Sequence, residues 1–102
     1  MARSKLMSLE AAAGLVPDGA TITIGGGQVT RVPASLLREL ARQGRRGLKL
    51  YKPPSGYDTD LLSAAGVLAQ TAGGVVSLDR FGLAPNHRRA VETGAIMHVE
   101  HT

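Results

Sequence analysis

Three consecutive glycines, Gly25 to Gly27, follow the apolar, β-branched stretch 20–24 and precede a helix start at Pro33. Glycine has no Cβ atom, so the backbone of such a turn can approach a ligand closely. The free N–H groups and the positive end of the following helix favour a phosphate or a carboxylate, and an arginine in the turn can hold such a group with two hydrogen bonds. A glycine-rich turn without a ligand is the alternative. The predicted anion-binding residues are Gly25, Gly26, Gly27, Gln28 and Arg31.

Two familiar nucleotide-binding motifs can be tested against this turn. A dinucleotide fingerprint that begins at Gly25 and Gly27 requires a third glycine where Thr30 stands. A P-loop requires Gly-Lys-Ser/Thr where the chain has Thr30, Arg31 and Val32. Neither motif is present, so the turn predicts a different kind of anion site.

Polar residues also follow two other predicted strands. Ser55, Gly56 and Asp58 come after the second strand and are candidate ligand contacts, with a turn and a helix cap as the alternative. Glu100 follows the last predicted strand. Because ligands of open parallel sheets bind beyond the carboxyl ends of the strands, Glu100 is a candidate catalytic acid. A solvated carboxylate is the alternative.

The sequence gives little support for a metal site, a thiol nucleophile or a serine nucleophile. The chain has no cysteine, which excludes a disulfide framework, a thiol nucleophile and a thiolate zinc site. His98 and Glu100 share one face of an extended segment and His101 lies on the other, so the histidines do not converge on a metal. Ser55 lacks the Gly-x-Ser-x-Gly setting of a hydrolase nucleophile. We predict no metal site.

The elements that must position these residues alternate between helical and strand spacing, the pattern of βαβ units. Because middle strands of a parallel sheet need helices on both faces, a chain stopping after a strand at 96–99 supplies too little cover. We predict a mainly parallel, open α/β sheet with flanking helices that is incomplete, as a fragment or as a subunit that docks on another chain. The predicted helices are 8–16, 33–43, one capped by Asp58 or Thr59 that runs through Ala65, and 85–93; the predicted strands are 20–24, 47–51, 75–78 and 96–99.

Composition limits the class of protein. The 102 residues, 43% of them hydrophobic, allow one domain, residues 1–102, without an internal boundary. The apolar runs are too short for a membrane span or a signal peptide, so we expect a cytoplasmic protein without a membrane partner. The net charge of +4 favours anionic partners. A small basic nucleic-acid-binding module is one alternative, but the basic residues are scattered and aromatics make up 3% of the chain; we predict no nucleic-acid partner.

Several linked segments resemble a known family. Ser4 to Leu9, Asp18-Gly19, Gly25-Gly26 and Pro33 are similar to the opening of the A (alpha) subunits of family I CoA-transferases. The segments 54–62, 81–89 and 92–102 resemble the glutaconate CoA-transferase-like branch. The resemblance covers nearly the whole chain and implies the CoA-transferase family I (NagB-like) fold.

The sequence departs from this family pattern at three points. The family prefers Phe where Gly27 stands and a glycine near position 31. A basic residue there is typical of the glutaconate-type branch, so Arg31 points to that branch and to a substrate carboxylate. Relatives continue well beyond Thr102, so we expect the chain to be the N-terminal portion of the A subunit and a truncated gene product.

The resemblance implies an enzyme that moves CoA from an acyl-CoA to a carboxylic acid. In this family a glutamate attacks the acyl-CoA to give an anhydride and then a glutamyl-CoA thioester, from which a second acid takes the CoA. In most members that glutamate lies in a Ser-Glu-Asn-Gly motif of the B (beta) subunit, and this motif is absent from the sequence.

The implied partner is therefore a B subunit in a hetero-oligomer, and we expect the isolated chain to be inactive. CoA and acyl-CoA enter as substrates, with no permanently bound cofactor. Arg88 and Arg89 face either the CoA phosphates or solvent. A CoA-dependent hydrolase subunit on the same scaffold, in which water or a carbon–carbon bond replaces the acceptor acid, and an inactive remnant are the alternatives.

Overall fold

A computed structural model describes residues 6–100, which form four α-helices, a short 3₁₀ helix (Asp79–Phe81) and a four-stranded, fully parallel sheet. The α/β class and the parallel sheet predicted from the sequence are confirmed. The helices are α1 (Leu9–Gly14), α2 (Ala34–Arg42), α3 (Tyr57–Ala64) and α4 (Pro85–Glu92), and the strands are β1 (Thr21–Ile22), β2 (Leu48–Tyr51), β3 (Leu68–Ala72) and β4 (Met97–Val99).

The helix ends follow local sequence signals at most positions. The Ser8 side chain accepts a hydrogen bond from the Ala11 amide at 3.1 Å and caps α1, as predicted. Pro85 occupies the first turn of α4, where a proline costs no hydrogen bond. The predicted cap of α3 is wrong, because the helix begins after Gly56 and Asp58 already lies within its first turn.

The predicted third strand at 75–78 is also wrong. The sheet instead uses β3, whereas 75–77 makes only isolated bridges, Ser55 to Val76 and Ser77 to Leu83. β3 contains one β-branched residue, Thr71, but it begins directly after α3 and lies between β2 and β4. Its place in the sheet therefore outweighs the higher β propensity of Val75 and Val76.

The strands follow one another in the sheet in chain order, β1-β2-β3-β4. Right-handed crossovers between strands in that order place the connecting helices on one face of the sheet, and α2, α3 and α4 do pack side by side. This face holds the main core, whose most deeply buried aliphatic residues are Leu37, Leu40, Leu48, Leu50, Leu62 and Val67.

The opposite face of the sheet has no helix over it within residues 6–100. Four residues that pair in register form a row across all four strands on this face: Thr21, Lys49, Gln70 and Met97. Gln70 is half-buried, and the other three are exposed. The expectation that the chain covers its sheet incompletely therefore agrees with the described residues. None of the helices in this part of the chain has the length and apolar content that crossing a bilayer requires.

Candidate functional site

The residues from Gly25 to Val32, here called the glycine loop, connect the carboxyl end of β1 to α2. Gly26 has φ +101°, and a Cβ atom built on it would lie 2.2 Å from the carbonyl oxygen of Arg31. The Gly27 amide donates to the Thr30 carbonyl at 2.8 Å and closes the turn. The tight turn therefore requires glycine at position 26 irrespective of any ligand.

Most backbone amides of the glycine loop remain available. Across residues 25–31, as far as the structure describes bonding partners, Gly27 is the only residue whose amide donates to a protein acceptor. Gly25, Gly26 and Arg31 are exposed. The loop therefore presents unused N–H donors at a carboxyl end of the sheet, where parallel α/β proteins bind ligands.

Lys52 connects the glycine loop to the segment that follows β2. Its Nζ donates to the Gly27 carbonyl at 2.9 Å and to Asp58 Oδ2 at 2.5 Å, and the Lys52 and Asp58 side chains are only 5% and 0% exposed. Asp58 Oδ1 accepts hydrogen bonds from the amides of Gly56 and Thr59. A buried ion pair with these additional bonds holds the loop, the end of β2 and the start of α3 together.

The sequence analysis missed Lys52, although a signal was present. Leu48 and Leu50 point into the core, and position 52 continues this alternation. A lysine at an inward position requires a partner, because burial of an unpaired ammonium group is costly. Asp58, six residues later, is that partner.

Ser55 and Gly56 are buried and do not lie at the surface of the glycine loop. Ser55 is 3% exposed, and its backbone bonds to the carbonyl of Val75 and the amide of Ser77. A Cβ atom at Gly56 would lie 2.2 Å from the Ser77 carbonyl oxygen and 2.6 Å from that of Gln28. Gly56 therefore packs against the loop, whereas Ser55 contacts the segment 75–77.

Gln28 is fixed from two sides. Its carbonyl accepts a hydrogen bond from the Tyr57 amide at 2.7 Å. Its side-chain amide donates to Ser77 Oγ at 2.7 Å. The loop thus has a defined position relative to α3, which is set mainly by bonds to its own main chain.

The structure does not bring Glu100 to the glycine loop. Glu100 is exposed directly after β4, whereas the loop follows β1 at the opposite edge of the sheet. Three strand spacings separate these edges, which amounts to about 14 Å. The two predicted parts of the site therefore lie at the same end of the sheet but are not in contact.

A groove of about 220 Å³ opens beside the glycine loop, between β1 and α2. Its walls are largely apolar, and Gly25 is one of its lining residues. The lining residues that define it are Val16, Ile22, Ile24, Pro33, Leu36 and Leu40. An apolar chain attached to an anionic group would find both kinds of surface here.

A second cavity, of about 250 Å³, lies beside α4 and contains a pair of histidines. Thr71 Oγ1 lies 2.9 Å from His87 Nε2 and 2.8 Å from His98 Nδ1, so one hydroxyl connects the two rings. Burial, together with the charge of His98, lowers the pKa of His87, which Asp60 only partly opposes. The cavity is separate from the glycine loop.

Two other sequence candidates lie near this cavity. Arg88 forms an exposed pair with Glu92 at 2.8 Å, with side chains 64% and 61% exposed, which matches a helix surface charge. His98 uses Nδ1 in the bond to Thr71. His101, the other histidine of the rejected metal arrangement, falls outside the described residues.

Comparison with known proteins now identifies the family. The family model described as Coenzyme A transferase matches residues 6–100. The chain belongs to the Coenzyme A transferase family. Its four-stranded parallel sheet with flanking helices is the CoA-transferase α/β fold, as the sequence resemblance implied. Members of this family act on CoA thioesters.

Two solved structures and one further protein show the similarity in detail. Glutaconate CoA-transferase from Acidaminococcus fermentans matches with a TM-score of 0.90 and 25% identity, over 97% of this chain and 32% of that one. A variant of the decarboxylase AibA/AibB matches with a TM-score of 0.84 and 36% identity, over 94% of this chain and 38% of that one. An uncharacterized protein of Archaeoglobus fulgidus is 33% identical over 97 residues, which are 94% of this chain and 22% of that protein.

This CoA-transferase chain therefore spans between about a fifth and two fifths of the length of these relatives. Each match nevertheless covers at least 94% of the chain itself.

Proposed function

We propose that this chain is the N-terminal part of an A-type subunit of a glutaconate-type CoA-transferase, in which the glycine loop forms part of the pocket for CoA or its acyl group. The observation that carries the proposal is the exposed glycine loop, whose amides, with the exception of that of Gly27, donate to no acceptor among residues 6–100. Main-chain donors of this kind stabilise a phosphate, a carboxylate or the oxygen of a polarised thioester.

Charge and shape near the loop agree with such a ligand. Arg31 is exposed in the loop, where its guanidinium group is suited to a CoA phosphate and, as the sequence resemblance implies, to a substrate carboxylate. The apolar groove that Gly25 helps to line offers room for an uncharged arm or an acyl chain. Gly56, which the sequence analysis proposed as a ligand contact together with Ser55, acts in this proposal through the position of the loop that it packs against, and the buried Ser55 through the segment 75–77 that also holds Gln28.

In this proposal a second polypeptide carries out the covalent step. We propose that a B-type subunit supplies the glutamate that attacks the acyl-CoA carbonyl carbon, so that the CoA thiolate leaves and an acyl-glutamyl anhydride forms. The thiolate then attacks the glutamyl carbonyl and releases the first acid, and the acceptor acid reverses both steps. This chain orients the ligand, and it acts as a cytoplasmic component of a hetero-oligomer.

We propose that Glu100 acts in this scheme as an acid at the rim of the site. Its separation of about 14 Å from the glycine loop places it beyond direct contact with a group bound there. A Glu100→Gln exchange, compared with the exposed Glu92→Gln exchange, tests that role in the assembled enzyme.

A CoA-dependent reaction without an acceptor acid is the second candidate. The decarboxylase AibA/AibB, at 36% identity, shows that this scaffold also occurs in an enzyme named for breaking a carbon–carbon bond. Family membership favours either enzyme role over the nucleic-acid-binding module that charge alone allowed.

Calorimetric titration of the full chain with CoA tests the binding role. We expect Arg31→Gln to weaken CoA binding about tenfold or more, the loss of one charge-assisted hydrogen bond. Arg46→Gln is the matched control, because Arg46 is exposed at the opposite end of the sheet, before β2. Equal affinities for the parent chain and both variants would contradict the proposed position of the ligand.

The reaction type is tested in a complex with a B-type subunit. CoA transfer that requires an added carboxylic acid supports the transferase. Release of CoA or CO₂ at the same rate with and without that acid would replace it by the second candidate.

A further inference from the structure

Two consecutive carbonyl groups of the glycine loop are held from the same side. The Gly27 carbonyl accepts from Lys52 Nζ at 2.9 Å, and the Gln28 carbonyl accepts from the Tyr57 amide at 2.7 Å. The two donors are the residue that follows β2 and the first residue of α3, so both lie at the β2–α3 connection beneath the loop. Each peptide group of the loop is trans.

In a trans peptide group the C=O and N–H bonds lie in one plane and point in opposite directions. A carbonyl held toward the segment below therefore turns the next residue's N–H group away from it. Gly27 C=O fixes the direction of the Gln28 amide, and Gln28 C=O fixes that of the Val29 amide. Neither amide donates to an acceptor in the part of the chain that the structure describes.

We propose that the amides of Gln28 and Val29 form the anion-binding donor pair of the glycine loop, and that Lys52 is the positioning residue that aims them. The inference rests on the proposed function. It assigns the main ligand contact to the two residues that follow the triple glycine, and not to the glycines themselves. The ligand group is an anionic oxygen, from either a CoA phosphate or a carboxylate.

Burial makes Lys52 suitable for this task. Its ammonium group is held by Asp58, whose second oxygen is fixed by the amides of Gly56 and Thr59, so the position of Nζ is determined by main-chain atoms. The side chain is only 5% exposed, so it does not itself meet the ligand. Its effect on binding passes through the Gly27 peptide group.

Amide NMR of the ¹⁵N-labelled full chain tests the donor pair directly. Titration with CoA is expected to move the Gln28 and Val29 signals more than those of Gly25 and Gly26, and parallel titrations with phosphate and glutarate distinguish a phosphate from a carboxylate source. Larger shifts at Gly25 and Gly26 would overturn the inference and leave the proposed function intact. The absence of any shift in the loop at saturating CoA would contradict both.

Variants test the positioning role. Lys52→Met combined with Asp58→Asn removes both buried charges and keeps an oxygen acceptor for the amides of Gly56 and Thr59. We expect CoA affinity to fall about tenfold and the Gln28 amide signal to shift in the free protein. Lys49→Met changes an exposed lysine of β2, the strand that precedes Lys52; it is the control and leaves both unchanged.

A folded double variant that binds CoA as tightly as the parent would overturn the role of Lys52. If the double variant does not fold, the titration of the parent chain still decides the inference through the Gln28 and Val29 signals.

Discussion

Alanine substitution at Gly26 is expected to lower the free energy of unfolding more than alanine substitution at any other exposed glycine whose surroundings the structure describes within residues 6–100. The residue has φ +101°, and the added Cβ atom would lie 2.2 Å from the Arg31 carbonyl oxygen and 2.8 Å from its carbon. The left-handed conformation costs an alanine about 1–2 kcal/mol, and forcing a methyl group into occupied space costs about 1–3 kcal/mol. We expect a loss of about 2–5 kcal/mol in the free energy of unfolding.

Two matched variants separate these causes. Gly82 has the same φ of +101° but nothing within 4 Å of an added Cβ, so Gly82→Ala measures the conformational cost alone. Gly25 has neither the positive φ nor a neighbour within 4 Å, so Gly25→Ala is expected to change stability by less than about 0.5 kcal/mol. The order of stability loss is therefore Gly26, Gly82, Gly25.

Urea unfolding, followed by circular dichroism, measures the free energy of unfolding of all three variants, and thermal unfolding, followed in the same way, measures their Tm. For a domain of this size each kcal/mol lowers Tm by about 4–8 °C, so Gly26→Ala should melt at least ~8 °C below the parent. Equal losses for Gly26→Ala and Gly82→Ala would refute the steric part of the reasoning. A loss at Gly25 as large as that at Gly26 would refute the geometry of the whole loop.

Three further predictions concern buried polar groups. Lys52→Met leaves the Asp58 carboxylate without its partner and should cost about 3–5 kcal/mol in urea unfolding. Asp60→Ala removes the acceptor for the backbone amides of Asn86 and His87 at the start of α4 and should cost about 1–3 kcal/mol, measured in the same way. Because burial lowers the pKa of His87 below its ordinary 6.5, the unfolded chain binds the proton more readily, so stability falls as pH drops below about 6.5, and His87→Gln should flatten that dependence.

Each of these has a control. Lys49→Met and Glu92→Ala change exposed charged residues and should stay within about 0.5 kcal/mol of the parent. For His87, unfolding midpoints at pH 7.5 and 5.5 are compared between parent and variant. The explanation fails if the variant loses as much stability as the parent between these two pH values.

Local signals in the sequence predicted those parts of the fold that local chemistry decides. Ser8 caps α1 and Pro85 starts α4 because each acts on amides within its own turn. Alternation predicted β2, since Leu48 and Leu50 are buried and Lys49 is exposed. The alternation between helical and strand spacing predicted the fold class, and the β-branched stretch 20–24 predicted that the glycine loop follows the first strand.

Features that depend on tertiary neighbours were missed. The segment 75–78 looks more strand-like than Leu68–Ala72, yet only the latter lies between two other strands. Asp58 looks like a helix cap in the sequence, but the lysine at position 52 recruits it as a buried partner. The ligand roles of Gly25, Gly26, Gly27, Gln28 and Arg31 remain predictions.

The way in which the glycine loop is held has a consequence for its evolution. Its main supports attach to carbonyl oxygens, at Gly27 and Gln28, which every amino acid carries. Exchanges at neighbouring exposed positions such as Val29 and Thr30 therefore leave these supports in place. The conformation of the turn is thus separated from the identity of the side chains that it displays, which leaves those positions free to vary.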